Sequence, residues 1–388
     1  MNRPATPTAT PCPAARRGAG PLLVLVPALA AAILLEALLR GARQREQAPA
    51  ATAGGEQPLW VQYVMVGLGG FRGLASEVLW LRAGRLQEQG RYFEQVQLAD
   101  WITALDPRAT DAWIFNSWNL AYNISAMMPR HEDRLTWVQA GIALLRDRAI
   151  PANPADARLY RELGWLYQNK IGAAMDPAHL HYKLALAREM APSLDAGGAP
   201  PAVGSQAAEH LQREFRLDCG QMHAVDRSIT RLDWRLPESH AIYWAAAGLP
   251  HARGFEHQAL RRMVHQNLFA LIEHGRFTGD LAAGRYTTAP DPALIPATTA
   301  FLRETVRRYP SETRLMAMFL ALAIQRQSAG GDTGGARESY RELTALAAGR
   351  YTVPDFATLA AGPPSEDTFF TPIPRHGGST GEPSHEPD

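Results

Sequence analysis

Apolar and polar positions follow the period of an α-helix along most of this chain. From Trp60 onward, apolar residues recur every three to four positions, and short breaks rich in proline and glycine separate these stretches. Such spacing places apolar side chains on one face of a helix, whereas strands would need a sustained period of two, which does not occur. The pattern therefore predicts an all-α protein.

Many of the predicted helices form pairs joined by short turns. The first pair is 76–89 and 92–105, with Gly90 at the turn and Leu-Asp-Pro at 105–107 ending the second helix. Further pairs are predicted at 111–128 with 133–148, 155–170 with 177–190, and 312–327 with 337–348, and single helices at 206–217, 237–247, 254–274 and 297–308. Successive pairs are spaced by roughly 40 residues or more, longer than the ~34 residues of a standard tetratricopeptide repeat.

Two sets of residues nevertheless resemble tetratricopeptide (TPR) repeats. The first set is Trp80, Gly90, Tyr92, Ala99 and Leu105-Asp106-Pro107, and the second is Leu163-Gly164 followed by Tyr167. The resemblance implies an α-solenoid of stacked helix hairpins with one concave face that binds other proteins. A nonrepetitive helical bundle remains the structural alternative.

The ends of the chain differ in composition from the helical part. Residues 21–39 are almost wholly apolar, and 19 residues at ~1.5 Å each would reach about 28 Å, so a transmembrane anchor is predicted at 21–40. A cleaved signal peptide is the alternative. The organisation that follows is a tail at 1–20, the anchor at 21–40, a linker at 41–57, TPR-like repeats at 58–194, a second helical repeat region at 206–361, and a disordered tail at 362–388.

The net charge argues against a nucleic-acid partner, and the cysteine content argues against a disulfide. The 39 basic and 38 acidic residues give a net charge of +1, which supplies no general field to attract nucleic acid. The two cysteines, Cys12 and Cys219, lie on opposite sides of the predicted anchor, so an intramolecular disulfide is not expected. We expect protein partners and membrane attachment, with no nucleic-acid partner and no cofactor.

An uncharged stretch at 112–129 supplies most of the candidate binding residues. At ~100° per residue, Asn116, Asn119 and Asn123 fall within about 60° of arc on one helix, beside the stripe of Phe115, Trp118 and Tyr122. Buried amides need hydrogen-bond partners, which neighbouring helices or the backbone of a bound peptide could provide. The predicted protein-binding residues are Trp113, Asn116, Asn119, Asn123, Tyr167 and Trp244.

Other chemistries have weaker sequence signals. After Gly67 and Gly69, a dinucleotide-binding fingerprint would need a third glycine at position 72, which is Arg72. The region 218–240 gathers possible metal ligands without a recognised spacing, so neither a metal site nor a catalytic residue is predicted; its members are Cys219, His223, Asp226, Asp233, Glu238 and His240.

The sequence thus predicts a single-pass bacterial inner-membrane protein whose extracytoplasmic part is a TPR-like scaffold in an envelope complex, and not an enzyme. Two alternatives stay open. One is an all-α hydrolase that uses carboxylates such as Asp233 and Glu238, and the other is a structural subunit of an envelope assembly.

Overall fold

The structure is a computed structural model that describes residues 72–348, 350 and 352–362. Of this part, 74% is helical, about twice the share in an average globular protein, so the fold is all-α as predicted. The predicted anchor at 21–40, the linker at 41–57 and the tail from 363 onward lie outside the described residues. Within them, no helix has both the length and the apolar composition needed to cross a bilayer.

The described residues fall into two compact units. One contains residues 72–85 and 104–106, and the other contains residues 86–103 and 107–362. The candidate functional site belongs to the second unit.

Most elements follow the predicted helices closely, whereas the helices at 219–228 and 356–361 were not predicted. Helices up to residue 190 are α1 (Arg72–Glu88), α2 (Tyr92–Leu105), α3 (Thr110–Trp118), the π-helix π1 (Asn119–Ile124), α4 (Ser125–Met127), α5 (His131–Ala143), π2 (Leu144–Ala149), α6 (Ile150–Ala152), α7 (Ala157–Trp165), π3 (Leu166–Gly172) and α8 (His179–Met190). The later helices are α9 (Gln206–Phe215), α10 (Cys219–Ser228), α11 (Pro237–Gly248), α12 (Gly254–His274), α13 (Ile295–Arg308), α14 (Thr313–Ala329), α15 (Thr333–Ala347) and α16 (Phe356–Ala361).

Local chemistry sets several of these helix starts. Asp156 accepts a hydrogen bond from the backbone N–H of Arg158 at the start of α7, and Ser205, Asp218 and Asp332 cap α9, α10 and α15 in the same way. Such caps satisfy backbone donors that have no partner inside the helix. Pro237 occupies the first position of α11, where its missing N–H costs nothing.

One feature between α12 and α13 is not helical. Strands β1 (Arg276–Phe277) and β2 (Thr288–Ala289) pair antiparallel, with Arg276 opposite Ala289, and an isolated bridge joins Asp280 to Arg285. Two residues per strand are too few to show the period of two that a sequence pattern would reveal.

Helices of the second unit pack in a regular order around one continuous hydrophobic core. Helix α3 with π1 packs against α5, α7 packs against both α3 and α11, and α11 packs against α12. Farther along, α12 meets α13, α13 meets α14, and α14 packs against α15 and α16. Glycines allow the closest of these approaches: a Cβ on Gly164 would lie 3.2 Å from the carbonyl oxygen of Ala241 in α11.

Candidate functional site

Most of the predicted binding residues lie inside the protein. Trp113, Asn116, Asn119, Tyr167 and Trp244 are buried, and Asn123 is half-buried. The six side chains have different surroundings and do not lie together on one face. Their role in binding therefore stays a prediction.

Two of the asparagines hold neighbouring parts of the chain together. The Asn119 side-chain amide donates to the carbonyl oxygen of Tyr92 at 3.1 Å, and its oxygen accepts from the Asn123 amide at 3.1 Å. Both side-chain polar atoms of Asn116, in contrast, are buried with no hydrogen-bond partner among the described residues. The arc of asparagines thus faces the interior.

The predicted aromatic residues belong to the core. The indole N–H of Trp113 donates to the carbonyl oxygen of Pro107 at 2.9 Å. Tyr167 stacks on His240 with 4.9 Å between ring centroids, and burial raises the pKa of Tyr167 to about 12. Trp244 packs against Tyr243 at 5.1 Å, so these rings are engaged by other core side chains.

A different aromatic group reaches the surface. The rings of Trp118 and Tyr122 stack with centroids 4.7 Å apart, and those of Trp118 and Trp165 lie nearly parallel, 18° apart in plane, with centroids separated by 6.4 Å. Each tryptophan leaves 37% of its surface exposed. Partly exposed, mutually packed indoles offer a large rigid surface that loses little entropy on binding.

The two tryptophans occupy equivalent positions in two helices. Trp118 is the last residue of α3 and precedes π1, and Trp165, 47 residues later, is the last residue of α7 and precedes π3. A π-helix changes the angle between side chains on either side of it, and such segments are frequent at functional sites. A π-helix thus directly follows each of the two tryptophans, whose side chains bring α3 and α7 together at the surface.

Polar groups form one wall beside these rings. The Lys170 ammonium donates to Asp176 Oδ2 at 2.6 Å and lies 5.1 Å from the centre of the Tyr122 ring. Asp176 also accepts from the backbone N–H of Ala178 at 2.9 Å, the Tyr182 hydroxyl at 3.2 Å and Arg134 at 3.4 Å. Burial alone would raise the pKa of Asp176, but these donors outweigh it and hold that pKa below its usual value.

Two further groups complete the surroundings of the rings. The Trp118 indole N–H donates to Glu162 Oε2 at 2.9 Å, and Glu162 also pairs with Arg161 at 3.1 Å. The Tyr122 hydroxyl is buried and donates to no acceptor among the described residues, while the neighbouring Trp165 side chain acts to lower the Tyr122 pKa. Burial raises the pKa of Tyr122 to about 12, so the hydroxyl keeps its proton at neutral pH.

Together these side chains enclose a cleft of about 470 Å³, which we call the aromatic cleft. Its lining residues are Trp118, Tyr122, Ala126, Arg134, Trp165, Asn169, Lys170, Met175, Asp176 and Pro177. The volume falls within the range of sites that bind small molecules or short peptide segments, and the combination of apolar walls with a few polar groups is typical of such sites. From the sequence, Trp118 and Tyr122 were predicted only as neighbours of the asparagines, and Trp165 was not among the predicted binding residues.

Three of the six possible metal ligands of 218–240, namely Cys219, Asp226 and Asp233, have separate surroundings. Asp226 accepts from the backbone N–H of Leu232 and from the Trp234 indole, and Asp233 forms a two-point ion pair with Arg235. Cys219 is buried, and burial raises its thiol pKa, which disfavours the reactive thiolate. In the described part of the chain, no three His, Cys, Asp or Glu side chains are placed to hold a metal ion.

Neither of the two comparisons with known proteins identifies this chain: no protein-family model matches the sequence, and no curated protein matches it either.

Proposed function

We propose that this protein is a membrane-anchored helical-repeat scaffold of TPR type, and that it binds segments of partner proteins in the aromatic cleft. The observation that carries the proposal is the pair of half-exposed, nearly parallel indoles of Trp118 and Trp165 in a cleft of about 470 Å³. Tryptophan is strongly enriched among the residues that dominate the free energy of protein–protein binding.

A repeated set of contacts supports the solenoid part of the proposal. The side chain of Trp113 donates to the carbonyl oxygen of Pro107, six residues earlier, and the hydroxyl of Tyr160 donates to that of Pro154, also six residues earlier. Both pairs are separated by the same 47 residues as Trp118 and Trp165. Equivalent contacts at a fixed offset are expected when one structural unit occurs twice.

The packing order of the helices also fits stacked units. In a solenoid each unit contacts its neighbours along the sequence, and the first helices of successive units lie side by side. The helices α3, α7 and α11 meet in that order, and α14 forms a hairpin with α15. Surface residues at the ends of α3 and α7 would then share one binding face.

The membrane part of the proposal depends on the sequence of residues 21–40 alone. A stretch of this length and apolar content can span a bilayer, and its basic flanks are compatible with an uncleaved anchor. Attachment would keep the cleft near the membrane, where we place the partner complex in the bacterial envelope.

A cross-linked pull-down from solubilised membranes tests this function. The tagged full-length protein would be compared with a Trp118→Ala/Trp165→Ala double variant and with Trp101→Ala, which removes an exposed tryptophan of α2 outside the cleft. Thermal unfolding of each variant is measured first. We expect a partner that the wild type and Trp101→Ala capture equally and that the double variant loses. Equal capture by the folded double variant would contradict the proposal.

A further inference from the structure

One face of α1 carries apolar and basic side chains together. Its residues follow the helical spacing of three, four and seven positions, which places them within about 100° of arc. We call this surface the α1 face, and its members are Val78, Leu81, Arg82 and Arg85. All four are exposed, and Val78 and Leu81 keep 60% and 65% of their surface open to solvent.

The protein interior uses a different side of α1. Ala83 and Leu86 are buried, and at ~100° per residue they point about 140° and 80° away from Val78. Packing of this helix therefore does not depend on the α1 face. The apolar side chains of that face remain open to a surface from outside the described protein.

The α1 face is positively charged. Neither Arg82 nor Arg85 forms an ion pair or a side-chain hydrogen bond within the described residues, where the arginine pairs begin at Arg91. The acidic residues of α1, Glu77 and Glu88, flank the arc on the side of Leu81 and do not lie within it. Two guanidinium groups are thus free to bind an anionic surface.

The position of α1 in the chain indicates which surface this is. The helix begins at Arg72, so residues 41–71 are the stretch that separates it from the predicted anchor at 21–40. A flexible chain of this length has a root-mean-square end-to-end distance of about 30 Å. A bilayer that holds the anchor is therefore always close to α1, whereas a free protein partner has to be captured from solution.

A lipid surface also suits both kinds of side chain on this face. Helices that lie on membranes bury apolar side chains at the boundary of headgroups and acyl chains, and their arginines stay at the level of the headgroups. Phosphate oxygens there accept charge-assisted hydrogen bonds from guanidinium groups. Each arginine close to an anionic bilayer strengthens attachment about fivefold.

We propose that the α1 face lies on the lipid surface of the membrane that holds residues 21–40. Val78 and Leu81 enter the boundary of the acyl chains, and Arg82 and Arg85 bind anionic headgroups. This inference rests on the anchor of the proposed function and adds a second, peripheral attachment to the same bilayer. It is independent of what the aromatic cleft binds.

Quenching of a fluorophore by lipid tests this attachment in the full-length protein. The environment-sensitive dye NBD is attached to Val78→Cys, or to Gln87→Cys, which is exposed and about 180° from Val78 on the helix. Both carry Cys12→Ala/Cys219→Ala, and thermal unfolding checks each protein. The proteins are reconstituted in phosphatidylcholine vesicles with and without phosphatidylglycerol, and part of the lipid carries a nitroxide quencher near the headgroup.

We expect the nitroxide lipid to quench the dye at position 78 at least about threefold more than at position 87, because an interfacial helix buries its apolar face by about 5–10 Å. Phosphatidylglycerol should increase the quenching at position 78. Arg82→Gln/Arg85→Gln should lower it towards the value at position 87. The control Arg91→Gln/Arg130→Gln, which removes two exposed arginines that each pair with a glutamate, should leave it unchanged.

Two results would overturn the inference. One is equal quenching at positions 78 and 87, which is also the result expected if another protein segment or a second copy of the chain covers the α1 face. The other is quenching at position 78 that neither phosphatidylglycerol nor the two glutamine substitutions change. If the protein stays with the vesicles through an alkaline wash, the anchor stands and only the attachment of α1 is wrong. Protein that leaves the vesicles in that wash would overturn both.

Discussion

Asn119 ties the π-helix π1 to the start of α2. Its side-chain amide donates to the carbonyl oxygen of Tyr92, and its side-chain oxygen accepts from Asn123, both at 3.1 Å. We expect Asn119→Ala to lower the free energy of unfolding by about 1 to 3 kcal/mol, because the buried Asn119 side chain loses its hydrogen bonds to Tyr92 and Asn123. Chemical denaturation measures this change.

Asn169→Ala is the matched control for that prediction. The Asn169 amide is exposed and makes one long contact of 3.5 Å, with the carbonyl oxygen of Trp165. Its removal should change stability by no more than about 0.5 kcal/mol. Equal effects of the two substitutions would show that Asn119 does not hold these segments together.

Asp176 makes stability depend on pH. Its pKa is lowered in the folded protein relative to about 3.8 when unfolded, so its stabilising contribution is complete above that value and is lost as the pH falls through the folded pKa. Asp176→Asn should lower the free energy of unfolding by about 3 kcal/mol at pH 7, because Lys170 loses its buried partner. The difference between variant and wild type should shrink below about pH 4, which thermal unfolding at pH 7, 5, 4 and 3 would detect. A constant difference down to pH 3 would contradict the ion pair.

The sequence predicted that the three asparagines share one face of a helix, but not whether that face points to the interior or to a ligand. Three amides on one face of a helix mark a surface that needs hydrogen bonds, and nothing in their spacing says whether a ligand or a neighbouring helix supplies them. The structure gives Asn119 an internal partner in Tyr92, 27 residues earlier. A contact between positions so far apart in sequence depends on tertiary packing, which one sequence does not reveal.

At the scale of elements, Gly141 sets how closely α5 approaches α3 and π1. A Cβ at this position would lie 2.8 Å from the carbonyl oxygen of Ser117 and 3.2 Å from the Cβ of Ala121. Because backbone cannot yield as a flexible side chain can, we expect Gly141→Ala to cost about 1 to 3 kcal/mol of unfolding free energy. Urea denaturation measures it.

The control for this contact is Gly334→Ala in the first turn of α15. Here a Cβ would meet only Asp332 at 3.7 Å, which is ordinary contact. Alanine loses less chain entropy than glycine on folding, so this variant should be neutral or more stable by up to about 1 kcal/mol. Similar losses at the two positions would argue against a close approach at Gly141.

Helix positions were largely predictable, and the π-helices were not. The periodicity of 254–274 predicts a helix with the same bounds as α12, because apolar spacing and flanking breaks are local properties. The π-helices π1 and π3 have no such signal. Their i→i+5 hydrogen bonds continue the same run of helical residues, so apolar spacing does not separate them from α3 and α7.

At the scale of the whole molecule, residues 21–40 should determine where the protein resides. The full-length protein should stay in the membrane pellet after an alkaline carbonate wash, whereas a version that begins at residue 58 should move to the supernatant. Immunoblotting of the two fractions measures this. Full-length protein in the supernatant would contradict an uncleaved anchor.

The aromatic cleft could have been found in part from the sequence. The offset of 47 residues relates Pro107 to Pro154 and Trp118 to Trp165, so aligning the two stretches places the two tryptophans at one position of a repeated unit. Their neighbours Arg134 and Asp176 come from different parts of the chain and meet only in the folded protein. The polar wall of the cleft could therefore not be predicted from local sequence patterns.

Photocross-linking from within the cleft tests the central claim most directly. Met175 lines the cleft and is 79% exposed, and Phe255 of α12 is 72% exposed outside it, so each is replaced in turn by the photoreactive residue p-benzoylphenylalanine in cells. The account predicts a light-dependent protein adduct from position 175 that is absent from position 255 and is lost in the Trp118→Ala/Trp165→Ala background. An absent adduct at position 175, or one that persists without both tryptophans, would contradict the cleft as the binding site.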